Sequence, residues 1–108
     1  SSGMSAYIAS KHAVIGLMRT AALEGAADNI RVNTVNPAPI DTRMRASIEA
    51  QNGLPTGDRS NRPLAQHMLL QRYGEADEVA EAVIWLLSGA SSFVTGHQLA
   101  VDGGLTAL

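Results

Sequence analysis

The stretch IRVNTVNP, Ile30 to Pro37, constrains the fold more than any other part of the chain. It is rich in β-branched side chains and ends on a proline, as a strand does. It also shows little polar alternation. A strand with one wet face alternates, so this one expects cover on both faces, as in a parallel sheet. A helix precedes it over 5–27. Ile8, Ala9, Ile15, Met18 and Leu23 follow helical spacing there, and Ser5 is placed to cap the first turn. Gly16 lies inside this helix. It costs up to about 1 kcal/mol relative to alanine, which close approach of another backbone would offset.

The second half repeats the alternation. EADEVAEAVIWLLSG predicts a helix over 77–88. Glu75, Asp77 and Glu78 put negative charge at its start, where the helix dipole favours it. Val79, Val83, Ile84, Trp85, Leu86 and Leu87 give it a broad apolar face, and Gly89 is placed to stop it. HQLAVDGG then reads as a short strand closed by two glycines. Between the two halves NGLPTGDRSNRP is a loop, with short helices expected near 42–51 and 63–71. A loop that long inside a compact fold is functional or mobile. Strands alternating with helices imply βαβ units. Two strands alone are marginal in water, so the chain reads as one flank of a larger α/β sheet.

Composition removes several function classes. A length of 108 residues suits one small domain, and 45% apolar residues can bury a core. Aromatics make up only 4%, so that core is aliphatic. A net charge of −2 offers no basic field for nucleic acid. Cysteine is absent, which excludes disulfides and thiolate metal sites and suits a cytoplasmic setting. No apolar run approaches the ~18 residues that span a bilayer. The opening SSGMSAY does not read as a signal peptide. His12, His67 and His97 lack ligand spacing, so no metal site is expected. RMRASIEAQNGLPTGDRSNRPLAQHMLLQR carries five arginines among acids and amides and reads as a solvated lid rather than an anion site. Met44, Ile48, Leu64, Met68 and Leu69 could line a pocket, but packing on the core is expected for most of them.

YIASK, at the head of the first helix, sets Tyr7 and Lys11 one turn apart on one face. An ammonium beside a phenol favours the phenolate, which would fit the tyrosine for general acid–base work near neutral pH. By spacing alone, an amphipathic surface pair is the commoner outcome.

The surroundings of the pair bear on this choice. SAYIASKHAVIGLMRTAALEGAADNIRVNTVNPAPIDTRM resembles the short-chain dehydrogenase/reductase family throughout. In that family Y-x-x-x-K opens a long helix, followed by an I-R-V-N-x-V strand and a P-G-x-[IV]-x-T turn. RYGEADEVAEAVIWLLSGASSFVTGHQLAVDGGLTAL is similar to the family's last helix and strand, with its TG…DGG ending.

The resemblance implies an α/β fold: the carboxyl-terminal part of a doubly wound, Rossmann-type parallel sheet, about two strands and two to four helices in a single partial domain over 1–108. It implies an NAD(P)-dependent oxidoreductase interconverting a carbonyl and a secondary alcohol. Tyr7 would exchange the proton at the substrate oxygen. Lys11 would lower the Tyr7 pKa and bind the nicotinamide ribose. Backbone groups around Pro37, Ala38 and Ile40, with the Thr42 hydroxyl, would meet the carboxamide of NAD or NADP. Residues 43–73 would form the substrate lid. Helices 5–27 and 77–88 would pair with another subunit, giving a homo-oligomer, dimer or tetramer.

Two departures from the family pattern stand out. Ala38 occupies a position where the family usually has glycine; if φ is positive there, alanine is strained by about 1 kcal/mol. The glycine-rich phosphate-binding fingerprint and the family's catalytic serine and asparagine are not among these residues. Ser1, Ser2 and Ser5 stand too near Tyr7 to be that serine. The 108 residues alone are therefore expected to be inactive. The competing expectation is a non-catalytic fragment that dimerises and binds no nucleotide.

Overall fold

The computed structural model describes residues 3–55 and 57–107; the expectation for Ser1 and Ser2 lies outside them. Among the described residues the elements run α1 (Ser5–Gly25), β1 (Thr34–Pro37), α2 (Arg43–Gln51), α3 (Ala76–Leu87) and β2 (Gln98–Val101), with short 3-10 turns between them. The strands form a two-stranded sheet. Thr34 N–H donates to His97 C=O and Ala38 N–H to Val101 C=O, so partner numbers rise together and the pair is parallel. The chain divides into two compact units, Ser1–Thr34 with Leu86–Leu99, and Val35–Trp85 with Ala100–Leu108.

In the first unit, α1 begins at Ser5, one residue earlier than a Ser5 cap would place it. Ile8 N–H already bonds to Met4 C=O at 2.9 Å, so Met4 takes the N-cap place and Ser5 is helical. The helix passes into a 3-10 turn at Ala26–Asp28, which the left-handed Asn29 (φ 59°) closes. Only Met18 and Ala22 of α1 are buried. Nothing described lies within 4 Å of a β-carbon at Gly16, so the backbone approach expected there is not made by these residues.

The expected strand from Ile30 is shorter than the sequence suggests. Ile30 N–H bonds back to Gly25 C=O, and residues 31–33 are tied to the 94–97 loop instead of to a ladder. Val32 N–H donates to Thr95 Oγ1 and Val32 C=O accepts from Gly96 N–H. The Asn33 side chain donates to Val94 C=O and accepts from His97 N–H. Arg31 donates from Nη2 to Leu86 and Ser88 C=O, and from Nη1 to Val94 C=O and Ser91 Oγ. The guanidinium thus satisfies carbonyls at the end of α3 that no intrahelical partner reaches. The helix ends at Leu87, two residues before Gly89. Gly89 opens a 3-10 turn, Gly89–Ser91, capped by the Ser88 hydroxyl.

In the second unit, Thr42 caps α2 by accepting from Arg45 N–H at 3.2 Å. The helix expected near 63–71 is reduced to a 3-10 turn at Ala65–His67. Pro63 at its start lacks an N–H, and Met68 beyond the turn is extended. Instead this segment supplies the core: Ala65, Met68 and Tyr73 are buried together, with Ala38 and Leu105 against them. Ile40 and Gly74 form a parallel bridge. A β-carbon on Gly74 would stand 2.8 Å from Ile40 Cδ1, so glycine permits that approach. At the start of α3, Glu78 reaches back to Glu75 N–H at 2.9 Å, one arm of a capping box. Asp102 shapes the last turn, accepting from Gly104 N–H and from the Thr106 N–H and hydroxyl.

Candidate active site

Tyr7 and Lys11 lie in the first unit, on successive turns at the start of α1. The helix period brings their side chains together, with Lys11 Nζ 5.4 Å from the Tyr7 ring centroid. The pair faces outward, Tyr7 being 55% exposed. Ser10, between them, is turned to the backbone and donates to Tyr7 C=O at 2.8 Å. His12 contacts Ile8 C=O through Nδ1, a local helix contact. Among the described residues no three His, Asp or Glu side chains gather as metal ligands.

The turn residues lie in the second unit. Ala38, Ile40 and Thr42, together with Met44, Arg45 and Ile48 of α2, line a hollow of about 270 Å³. Pro37, at the end of β1, is exposed and is not part of that lining. The backbone around Ile40 is uncommitted on one side. The bridge is made by Pro39 C=O, which accepts from Gly74 N–H, and by Asp41 N–H, which donates to Gly74 C=O. In a parallel ladder the central residue's own N–H and C=O then point the other way. Ile40 therefore offers one donor and one acceptor side by side, the complement of a primary carboxamide. The Thr42 hydroxyl is spent as acceptor on Arg45 N–H but keeps its own proton to donate. Ala38 does not have positive φ, since the described non-glycine residues with positive φ are Asn29 and Gln71. Alanine in place of the family glycine is therefore unstrained, and its methyl packs on the core.

Of the residues expected to pack, only Met68 is buried. Met44 and Ile48 are exposed and line the hollow, while Leu64 and Leu69 are exposed. Within the arginine-rich segment, expected to be solvated, Arg62 is instead buried. Arg62 is 3% exposed and Glu49 4%. Arg62 Nε donates to Glu49 Oε1 at 2.7 Å and Nη1 to Asp41 Oδ1 at 2.6 Å. Nη2 stands 2.5 Å from Glu49 Oε1, close enough for charge attraction but too bent for a hydrogen bond. Tyr73 Oη donates to Glu49 Oε2 at 2.6 Å and accepts from Leu64 N–H.

Burial works to raise the Glu49 pKa, but the Tyr73 and Arg62 hydrogen bonds and the nearby positive charges outweigh it and hold it below the usual value. Burial likewise opposes charge on Arg62, and Glu49 and Asp41 outweigh it and raise its pKa. Tyr73 is raised, first by burial and then by its bond to Glu49. The one sequence hint of this cluster was the i,i+4 spacing of Arg45 and Glu49, which stand 3.5 Å apart.

A family profile described as Enoyl-(Acyl carrier protein) reductase matches residues 1–106. The chain belongs to the short-chain dehydrogenase/reductase family. The short-chain dehydrogenase/reductase astE of Aspergillus oryzae is 40% identical over 103 residues, 95% of this chain and 38% of that protein. The aldohexose dehydrogenase of Thermoplasma acidophilum superposes with a TM-score of 0.86 at 38% identity, over 100% of this chain and 43% of that one. A 4-hydroxyisoleucine dehydrogenase complexed with NADH superposes with a TM-score of 0.74 at 32% identity, over 96% of this chain and 39% of that one. The chain therefore spans less than half the length of these relatives. Its parallel strands and three described helices are part of the family's Rossmann-type fold.

Proposed function

We propose that this chain carries the proton-transfer pair and one wall of the nicotinamide site of an NAD(P)-dependent oxidoreductase interconverting a small carbonyl compound and a secondary alcohol. The observation that carries this reading is the Lys11 ammonium over the Tyr7 ring, 5.4 Å away, at an exposed helix start in a chain of this family. Tyr7 Oη is the group that gives a proton to the carbonyl oxygen or takes one from the alcohol. Lys11 holds its ammonium beside the phenol and donates to the nicotinamide ribose.

The residues of the turn suit the cofactor. The Ile40 N–H and C=O match a carboxamide, with Ala38 and the Thr42 hydroxyl beside them and the backbone at Pro37 leading in. When bound, the nicotinamide supplies the hydride acceptor or donor. Met44 and Ile48 offer apolar contact to the body of the substrate, as part of a substrate loop over 43–73. The NADH held by the 4-hydroxyisoleucine dehydrogenase supports a nicotinamide cofactor, and both NAD and NADP remain within the reading. The reading includes a cytoplasmic setting, in keeping with the absence of cysteine. It also includes a homo-oligomer through the apolar faces of α1 and α3.

The test uses the full chain that the gene encodes, screened with NAD and NADP against isopropanol, cyclohexanol and glucose. Tyr7→Phe should abolish turnover and leave dinucleotide affinity nearly unchanged; a variant with undiminished kcat would overturn the assignment. The 108 residues alone contain no glycine-rich phosphate cradle, and we expect them to be inactive. A second reading, a dimerising module without nucleotide binding, draws on the exposed Val14, Leu17, Ile84 and Leu87. Saturable quenching of Trp85 fluorescence by NADH would exclude it. A concentration-dependent dimer without quenching would favour it.

A further inference from the structure

The buried cluster around Arg62 has no part in the roles given above, yet it grips the helix that lines the hollow. Asp41 lies just ahead of the Thr42 cap and Glu49 lies in the last turns of α2. Eight residues of helix correspond to about 12 Å of axis. Both carboxylates nevertheless converge on one guanidinium, Asp41 at 2.6 Å from Nη1 and Glu49 at 2.7 Å from Nε. The Arg62 Cζ lies 4.9 Å from the Tyr73 ring centroid, and the Tyr73 hydroxyl holds the other Glu49 oxygen. Tyr73 adjoins Gly74, which bridges Ile40, another residue that lines the hollow. The cluster therefore ties both ends of α2 to the segment that bridges Ile40. Met44, Arg45 and Ile48 of the same helix face the hollow.

The chemistry of the cluster favours a role in position over one in stability. Arg62 and Arg45 balance Asp41 and Glu49, so the group is neutral as a whole. A buried ion pair contributes little net stability beside an apolar replacement, because desolvation offsets the attraction. A planar fork that serves two carboxylates at once, however, fixes their separation, which a lysine head cannot do.

We propose that Arg62 is a positioning residue of the hollow: by holding Asp41 and Glu49 together it sets where α2 places Met44 and Ile48, and so sets substrate affinity without touching substrate or cofactor. This inference rests on the hollow being the substrate side of the site.

The test compares Arg62→Lys with the parent protein in the full chain. One readout is amide hydrogen exchange of 43–51; the other is steady-state kinetics on the best of the three screened alcohols. Arg62→Lys should speed exchange in α2 and raise the alcohol KM about tenfold, the effect of losing one methylene-sized apolar contact. The dinucleotide KM and kcat should stay within about twofold. A merely structural residue would lower the melting temperature and the active fraction while leaving the KM of the folded remainder unchanged. Unchanged exchange and KM in a folded Arg62→Lys protein would overturn the inference. Should the parent turn over none of the alcohols with either dinucleotide, the reading of the hollow fails on its own account. Exchange then decides the clamp: faster exchange in α2 supports it and unchanged exchange refutes it. Should Arg62→Lys fail to fold, Glu49→Gln, which keeps the side-chain shape and one acceptor, is read in the same two ways.

Discussion

The Tyr73 hydroxyl donates to Glu49 Oε2 at 2.6 Å, a bond between a side chain with no exposed surface and a carboxylate that is 4% exposed. Tyr73 Oη in turn accepts from Leu64 N–H at 3.3 Å. Tyr73→Phe keeps the packing of the ring and removes both bonds, leaving a buried carboxylate oxygen and an amide short of partners. Loss of a buried hydrogen bond of this kind costs about 1–3 kcal/mol. Urea unfolding should show that loss with no change in the denaturant slope. A variant as stable as the parent would mean the hydroxyl is not bonded in solution.

Stability should depend on pH at both extremes. Glu49 has a lowered pKa in the fold, so its contribution is complete above its ordinary value of 4.5 and is lost as pH falls through the folded value. Tyr73 has a raised pKa, so its contribution is complete below its ordinary value of 10.0 and is lost as pH rises through the folded value. Glu78 adds an acid limb, since its hydrogen bonds from Arg72 and from Glu75 N–H lower its pKa to about 2. That carboxylate is exposed, and salt near 1 M, with a screening length of about 3 Å, should suppress its share. The buried Glu49 share should persist. Unfolding at low pH with and without salt, in the parent and in Glu49→Gln, separates the two; an acid limb erased wholly by salt would contradict the buried assignment.

Arg31 should resist even conservative replacement. Its two terminal nitrogens make four hydrogen bonds, to Leu86, Ser88 and Val94 C=O and to Ser91 Oγ, at 2.9 to 3.1 Å. Arg31→Lys keeps the charge but cannot span those acceptors. The expected cost is about 1–3 kcal/mol. Calorimetry would show it as a fall of about 4–8 °C for each kcal/mol. An unchanged melting temperature would remove Arg31 as the clasp on the end of α3.

Ala38→Gly should destabilise, although it restores the family's usual residue. The backbone there is not in the left-handed region, so glycine relieves no strain. It adds freedom to the unfolded chain and removes a methyl packed on the core. A loss of about 0.5–1 kcal/mol is expected in urea unfolding. A gain in stability would place the φ of Ala38 on the positive side.

What could be read from the residues was what neighbours along the chain decide. The helices over 5–25 and 76–87, the short 43–51 helix and the parallel strand order follow from local spacing, turn residues and alternation of elements. The nearness of Tyr7 and Lys11 follows from the helix period alone. The ends of elements were less legible, because long-range bonds set them: Asn33 and Thr95 engage the first half of the expected strand, and Arg31 finishes α3 from 55 residues away. The burial of Arg62 within the arginine-rich segment was not legible for the same reason.

By itself the sequence determined the family, the element order and the one-turn pairing of phenol and ammonium, since each depends on residues a few positions apart. Only the tertiary structure decided that Arg62, Glu49 and Tyr73 are buried together, that Ala38 is unstrained, and that Ile40 keeps a backbone donor and acceptor free. Burial and pairing of this kind depend on segments 13 to 24 residues apart closing on one another. A charge looks solvated in a linear reading until the fold supplies partners that can replace its water.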